Sequence, residues 1–431
     1  MNGRRLVNVI GLAAYVGVTR ATAMPDGFET NYPTFRGPTG SGFCRDAGPL
    51  PTAWSEKDNQ GIMWKAKLDL PGFASPIVWG DRVVVLAADA TNRLAACFEA
   101  TSGRVLWKTE LPKANGATTD YTLNTQSDEW NRRMHAAATP ATNGRQVFAL
   151  FSNGQLAALE LPTGKVAWTI GLGDTRSNSY GTANSPLIFG DWVIVVFQGE
   201  PSFIAAYDAA TGKEKWKTPR KSSTWASPLL IKTAAGKNVI VLPSDPDVTA
   251  WDPETGTVVW KADVVKSSPQ YCVGPSPVFA DGLVVVNCEN NGMVGLDPDK
   301  GQAVWTLKEL PNGDGFSDGV SMTTDGKYVY QYFKTALTCV EARTGKVVRQ
   351  KDTDDSASYA SPLFANGHLY LFGAGDTVIL KADPAAGFPA VGKGSVKESF
   401  EASPAAAGGR LFIRTDESLY GIGGKQGSRG P

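Results

Sequence analysis

The sequence predicts an all-β chain: an eight-bladed β-propeller of four-stranded antiparallel blades, closed by an N-terminal strand. Three observations carry this. A turn unit, small-x-acid-x-x-Thr-Gly-x-x-x-Trp, is rewritten along the chain, with Ala206–Trp216 (AYDAATGKEKW) as its clearest copy. A Ser-Pro signal, followed by apolar residues and a Gly-Asp or Asn-Gly turn, precedes each copy. The last unit also lacks an outer strand, while an unassigned strand, Ile62–Leu68, stands near the start.

The turn unit recurs at Cys97–Trp107, Ala158–Trp168, Ala250–Trp260 and Gly295–Trp305. Weaker copies at Cys339–Arg349 and Lys381–Val391 have lost the Trp. Its acid and Thr can bond turn amides, and its Gly takes a positive φ. Alternating apolar residues on both sides make it strand, turn, strand. The small residue and the Trp ten positions on then lie on adjacent strands, where the indole needs room. Blade starts fall at Ser75, Thr139, Ser185, Ser227, Ser276, Ser321, Ser361 and Ser403, about 40 to 64 residues apart. That is the period of propeller blades. Ser403–Gly423 stops short of a Trp strand, and Ile62–Leu68 fills the vacancy, which closes the ring and leaves no long unpaired strand.

This pattern resembles the pyrroloquinoline quinone (PQQ)-like β-propeller repeat over about 62–423. That repeat is shared by quinoprotein dehydrogenases and by non-catalytic relatives, including the propeller lipoprotein of outer-membrane β-barrel assembly. The resemblance implies the fold; enzymes and scaffolds both use the repeat. Tyr32–Gly42 (YPTFRGPTGSG) resembles the lead-in found before many secreted propellers of this type, and Phe35 and Arg36 are expected to plug against the ring.

Four segments follow: a signal peptide at 1–23, an irregular lead-in at 24–61 with few strand signals, the propeller at 62–423, and a disordered tail at 424–431. Arg4-Arg5, the apolar run Leu6–Val18 and the small-x-small site Ala21-Thr22-Ala23 read as a secretory signal cleaved near Ala23. This predicts a periplasmic or secreted protein with no stable membrane span after cleavage, since the run is short and Gly-rich; a retained anchor is the competing reading. With 42 basic and 42 acidic residues, charge points to no nucleic-acid partner. No stretch shows helical periodicity.

Cys97 and Cys339 occupy the small position of the turn unit, so burial explains them. Cys272 and Cys288 flank one hairpin whose turn lies near Asp281, and a disulfide between them is expected in an oxidising compartment. There is no CxxCH, no CxxC metal pair and no adjacent Cys-Cys of the sort many quinoprotein alcohol dehydrogenases place against the cofactor.

In this topology the connections between blades (D–A) and the B–C connections share one face. Two residues before each start lies an axis-facing position: Phe73, Ala137, Ala183, Trp225, Gly274, Gly319, Tyr359 and Glu401. Phe73, Trp225, Tyr359 and Glu401 could hold a flat ligand, or simply fill the funnel. The longest connection, 112–138, offers Tyr121, Trp130, Arg132, Arg133 and His135 as an ordered cap or partner surface. Asp89, Glu200, Asp245, Asp247, Glu289, Asp376, Asp416 and Glu417 lie on the same face, as turn formers or a cation-binding rim. Neither His135 nor His368 has a nucleophile nearby; packing is expected for His135 and exposure for His368. No catalytic set and no metal site emerges. The favoured function is therefore a monomeric, non-catalytic binding scaffold for a protein or polymer, needing no cofactor. The alternative is a PQQ-dependent oxidoreductase with Ca²⁺, in which Glu401 or Asp318 would serve as base.

Overall fold

The computed structural model describes residues 24–424 except 119–122, 124–126, 176–181, 266–272, 289–290, 314 and 318. The expected signal peptide therefore lies outside the described residues. Eight antiparallel sheets, each running from an inner strand A to an outer strand D, form the blades. Their inner strands start at Ile77, Ala141, Leu187, Leu229, Val278, Thr323, Leu363 and Ala405. In blade eight the outer strand is Ile62–Lys67, paired antiparallel with Ser418–Ile422 so that Trp64 faces Gly421. The propeller's first and last strands thus share one sheet, as ring closure requires.

The repeat's residues explain the packing between blades. Each small residue faces its Trp across strands C and D: Cys97 with Trp107, Ala206 with Trp216, Gly295 with Trp305. Each indole N–H then reaches into the next blade's turn. Trp64 donates to Ala100 O, Trp107 to Leu161 O, Trp168 to Ala209 O, Trp216 to Pro253 O, Trp260 to Pro298 O and Trp305 to Ala342 O, all at 2.9–3.0 Å. The turn glycine lies flat under that ring: a Cβ on Gly301 would fall 2.4 Å from Trp260. Its φ is +69° as well, so both space and backbone demand glycine.

Nearer the axis, a second ring uses the Ser of each Ser-Pro. The backbone N–H of Ser75 donates to the Thr139 hydroxyl, Thr139 to Ser185, Ser185 to Ser227, and so on through Ser276, Ser321 and Ser361 to Ser403. These bonds are 2.9–3.1 Å long and lie in the dry interior. The small hydroxyl is what lets neighbouring inner strands satisfy an N–H that neither strand's own ladder reaches.

Three expectations are corrected. The lead-in is not without strands: Phe43–Cys44 pairs parallel with the inner strand of blade seven, and Ala53–Ser55 pairs parallel with its outer strand. Blade seven becomes a six-stranded sheet. Its turn copy is also out of phase, since Ile379 faces Gly392, not Lys381 facing Val391. Glycine is needed there because Trp54 of the lead-in fills the space: a Cβ on Gly394 would lie 1.9 Å from its ring. The lost Trp is thus supplied from the lead-in. Finally, a helix is present among the described residues, Asp128–Met134.

The rest of the lead-in crosses the face that carries the A–B turns. Tyr32 bridges to Val78 of blade one, Pro33 O accepts from Thr142 N of blade two, and Phe35 lies among Ser185, Ser227 and Ser276. Arg36, 1% exposed, donates to Ser41 O and to Met322 O of blade six. Cys97 and Cys339 are buried thiols facing Trp107 and Arg349. Cys288 is a free buried thiol, its pKa pushed up by burial to about 12, and Cys272 lies outside the described residues.

Candidate functional site

The D–A face carries the side chains singled out for chemistry, and blades seven, eight, one and two bring most of them together. The helix Asp128–Met134 organises the cluster. Ser127 caps it by accepting from Trp130 N, Asp128 and Glu129 begin it, and Arg132 and Arg133 end it, in keeping with the helix dipole. Its C-terminal side is fastened through backbone carbonyls: Phe73 N and Ala74 N donate to Ala136 O, Ser152 N to His135 O, and Ser152 Oγ to Met134 O. Its Trp130 side is held through side chains.

Trp130 lies between two of the expected axial aromatics. Its ring is 4.9 Å from Phe73 and 5.2 Å, edge-on, from Tyr359. Tyr359 in turn covers Gly319 of the preceding connection, where a Cβ would sit 2.9 Å from its ring, yet it remains 46% exposed. Arg133 stands 5.6 Å over Phe73 and ion-pairs with both Glu129 and Asp416. Glu401 accepts from Tyr359 N at 3.2 Å. Burial raises the Glu401 pKa, with Asp416 and Glu129 adding to it against the opposing pull of Arg133. Burial likewise raises that of Asp416, again against Arg133.

Among the remaining expected residues, Arg132 is exposed on the helix. His135 is 6% exposed, and burial, with Arg93 nearby, lowers its pKa to about 4. Trp225 belongs to blade four, opposite blade eight, half-buried with its backbone N–H tied to Val273 O. Tyr121, Asp318 and Glu289 lie outside the described residues. His368 is half-buried at the start of a strand, not exposed in a turn. The acidic rim is mostly turn chemistry: Asp89 accepts from Thr91 N and Asn92 N, and Asp247 pairs with Lys261. Asp416 is the exception that reaches the cluster. Among the described residues, no three His, Cys, Asp or Glu side chains converge as a metal site.

Arg414 was not anticipated. Fully buried, it donates to Ala74 O at 2.9 Å and Leu86 O at 2.5 Å, tying blade eight to blade one beneath the cluster. Burial lowers its pKa to about 9. The signal for it was a second charge closing the strand Arg410–Arg414, whose three middle residues are apolar.

A family model described as the outer membrane protein assembly factor BamB matches residues 40–224 and 202–368. The BamB of Burkholderia pseudomallei is 26% identical over 51% of this chain and 53% of its own length. The dehydrogenase subunit of a quinone alcohol dehydrogenase from Gluconacetobacter polyoxogenes is 27% identical over 56% of this chain and 34% of its own. The match thus spans about half or less of these relatives. A europium-containing methanol dehydrogenase has the same fold, with TM-score 0.70 and 12% identity over 92% of this chain and 98% of that one. With repeat, ring and family model in agreement, the chain belongs to the PQQ-like β-propeller family that includes the outer membrane protein assembly factor BamB.

Proposed function

We propose that the protein is an exported, non-catalytic scaffold whose D–A face docks a protein partner around Tyr359, Trp130 and Arg133. One observation carries this reading: Trp130 of the chain itself spans Phe73 and Tyr359. These are two of the four residues expected against a quinone, and the chain's own indole takes the place between them, tilted 54° to Phe73 and 79° to Tyr359. What they do form is an aromatic and arginine surface, partly open at Tyr359, of the composition that anchors protein interfaces. The name of the assembly-factor relatives supports a role in outer-membrane protein assembly and a periplasmic location. Among the described residues no helix is long and apolar enough to cross a membrane.

The competing reading is a PQQ-dependent oxidoreductase, favoured by the quinone dehydrogenase relatives. Equilibrium dialysis of the purified protein against PQQ with Ca²⁺, followed by dye-linked assays on alcohols and sugars, separates the two. The scaffold reading expects no saturable PQQ binding and no turnover. Stoichiometric binding together with dye reduction that Glu401→Gln abolishes would overturn it.

A further inference from the structure

The axial cluster is built from two independent sources. Phe73, Tyr359, Glu401 and Asp416 come from the ends of blades one, seven and eight, and the helix brings Trp130 and Arg133 to them, with Glu129 beside Arg133 and Met134 packed below near Phe73. The recess is thus complete without the helix: two aromatic faces beside two carboxylates, a setting made for an aromatic ring and a guanidinium.

We propose that this recess is a receptor for a helical segment presenting an aromatic residue and an arginine three positions apart, and that Asp128–Met134 is the chain's own occupant, which a partner's segment displaces. The inference rests on the scaffold reading and names the chemistry of its partner. Three features fit exchange better than a fixed cap. The helix has 7 residues, too few to hold its form without the contacts it makes. Among the described residues, bonds from the blades to its backbone reach only its end, at Met134, His135 and Ala136, so Trp130 can leave without breaking a sheet. Arg133 also carries a replacement counter-ion, since Glu129 one turn earlier pairs with it already and travels with it when Asp416 is given up. Tyr359, nearly half exposed with Trp130 in place, offers an incoming ring its first contact.

A fluorescein-labelled synthetic peptide with the sequence 127–138 (SDEWNRRMHAAA) tests this by anisotropy against the whole chain. Two receptor variants, Trp130→Ala and Arg133→Ala, each loosen the internal occupant while leaving Ala136 and Ser152 untouched, and thermal melts verify that each is folded. The expected result is binding at least about tenfold tighter to a variant than to the wild type, where the internal helix competes. Replacing the peptide's Trp by Ala, or adding Tyr359→Ala to the receptor, is expected to weaken it by a similar factor. Equal affinity for wild type and folded variants, or indifference to the peptide's Trp, overturns the inference. A crosslink from position 359 to another protein speaks to the docking face alone. Peptide failure alongside such a crosslink therefore leaves the scaffold and removes the exchangeable helix.

Discussion

At the scale of single residues, stability is concentrated where an indole of one blade lies on a turn glycine of the next. Trp260, 7% exposed, fills the space over Gly301 and donates to Pro298 O. Trp260→Ala removes that ring from a site too confined to collapse, and a loss of about 3–5 kcal/mol is expected. Arg349 holds the equivalent position in blade six, with its guanidinium beside Gly387, but is exposed. Arg349→Ala is expected to cost about 0.5 kcal/mol. Chemical denaturation of the two variants checks this, and equal losses would refute the packing account. Much of this was legible, because acid, Thr-Gly and Trp recur at fixed offsets and pairing distance follows from strand geometry. Arg414 was not, since its partners Ala74 and Leu86 stand more than 300 residues away in sequence.

Among the elements, the helix and the lead-in hid themselves for different reasons. The helix is too short for apolar periodicity to register; only its end signals, Ser127 and the acid-to-base order of Asp128–Arg133, marked it. The lead-in strands are two and three residues long and pair in parallel with blade seven, so no hairpin signal announces them. Gly392 and Gly394 were the trace, for a strand gives up side chains only where something else comes close. His135 at the helix end yields a pH prediction. Its folded pKa is lowered to about 4, against about 6.5 unfolded, so the unfolded chain takes up a proton first. The stability it contributes is complete above pH 6.5 and is lost as pH falls toward 4. Between pH 7 and 5 the wild type is expected to lose on the order of 2 kcal/mol relative to its own value, by linkage. A His135→Gln variant should lack that slope, and His368, the other histidine, is common to both proteins. Identical slopes in urea titrations at the two pH values would count against a buried neutral His135.

For the whole molecule, ring closure was legible because the vacancy and the spare strand sit at opposite ends of one repeat series, and Trp64 facing Gly421 completes it. The ring separates two faces. One is crossed by the lead-in, and the other gathers Phe73, Trp130, Arg133, Tyr359, Glu401 and Asp416. Sequence phase alone put Phe73, Tyr359 and Glu401 on that second face; it could not tell that Trp130 would lie between the aromatics, because loop closure is not periodic. Family membership leaves enzyme and scaffold both open, so the central claim is that this face binds a protein. Photocrosslinking in the native host, with a photoreactive residue in place of Tyr359 or, on the opposite face, of exposed Lys300, tests it. The account predicts a discrete protein adduct from position 359 and none from position 300, and a stronger adduct at 359 when Trp130→Ala or Arg133→Ala loosens the internal occupant. No adduct at 359, or the same adducts from both faces, would contradict it.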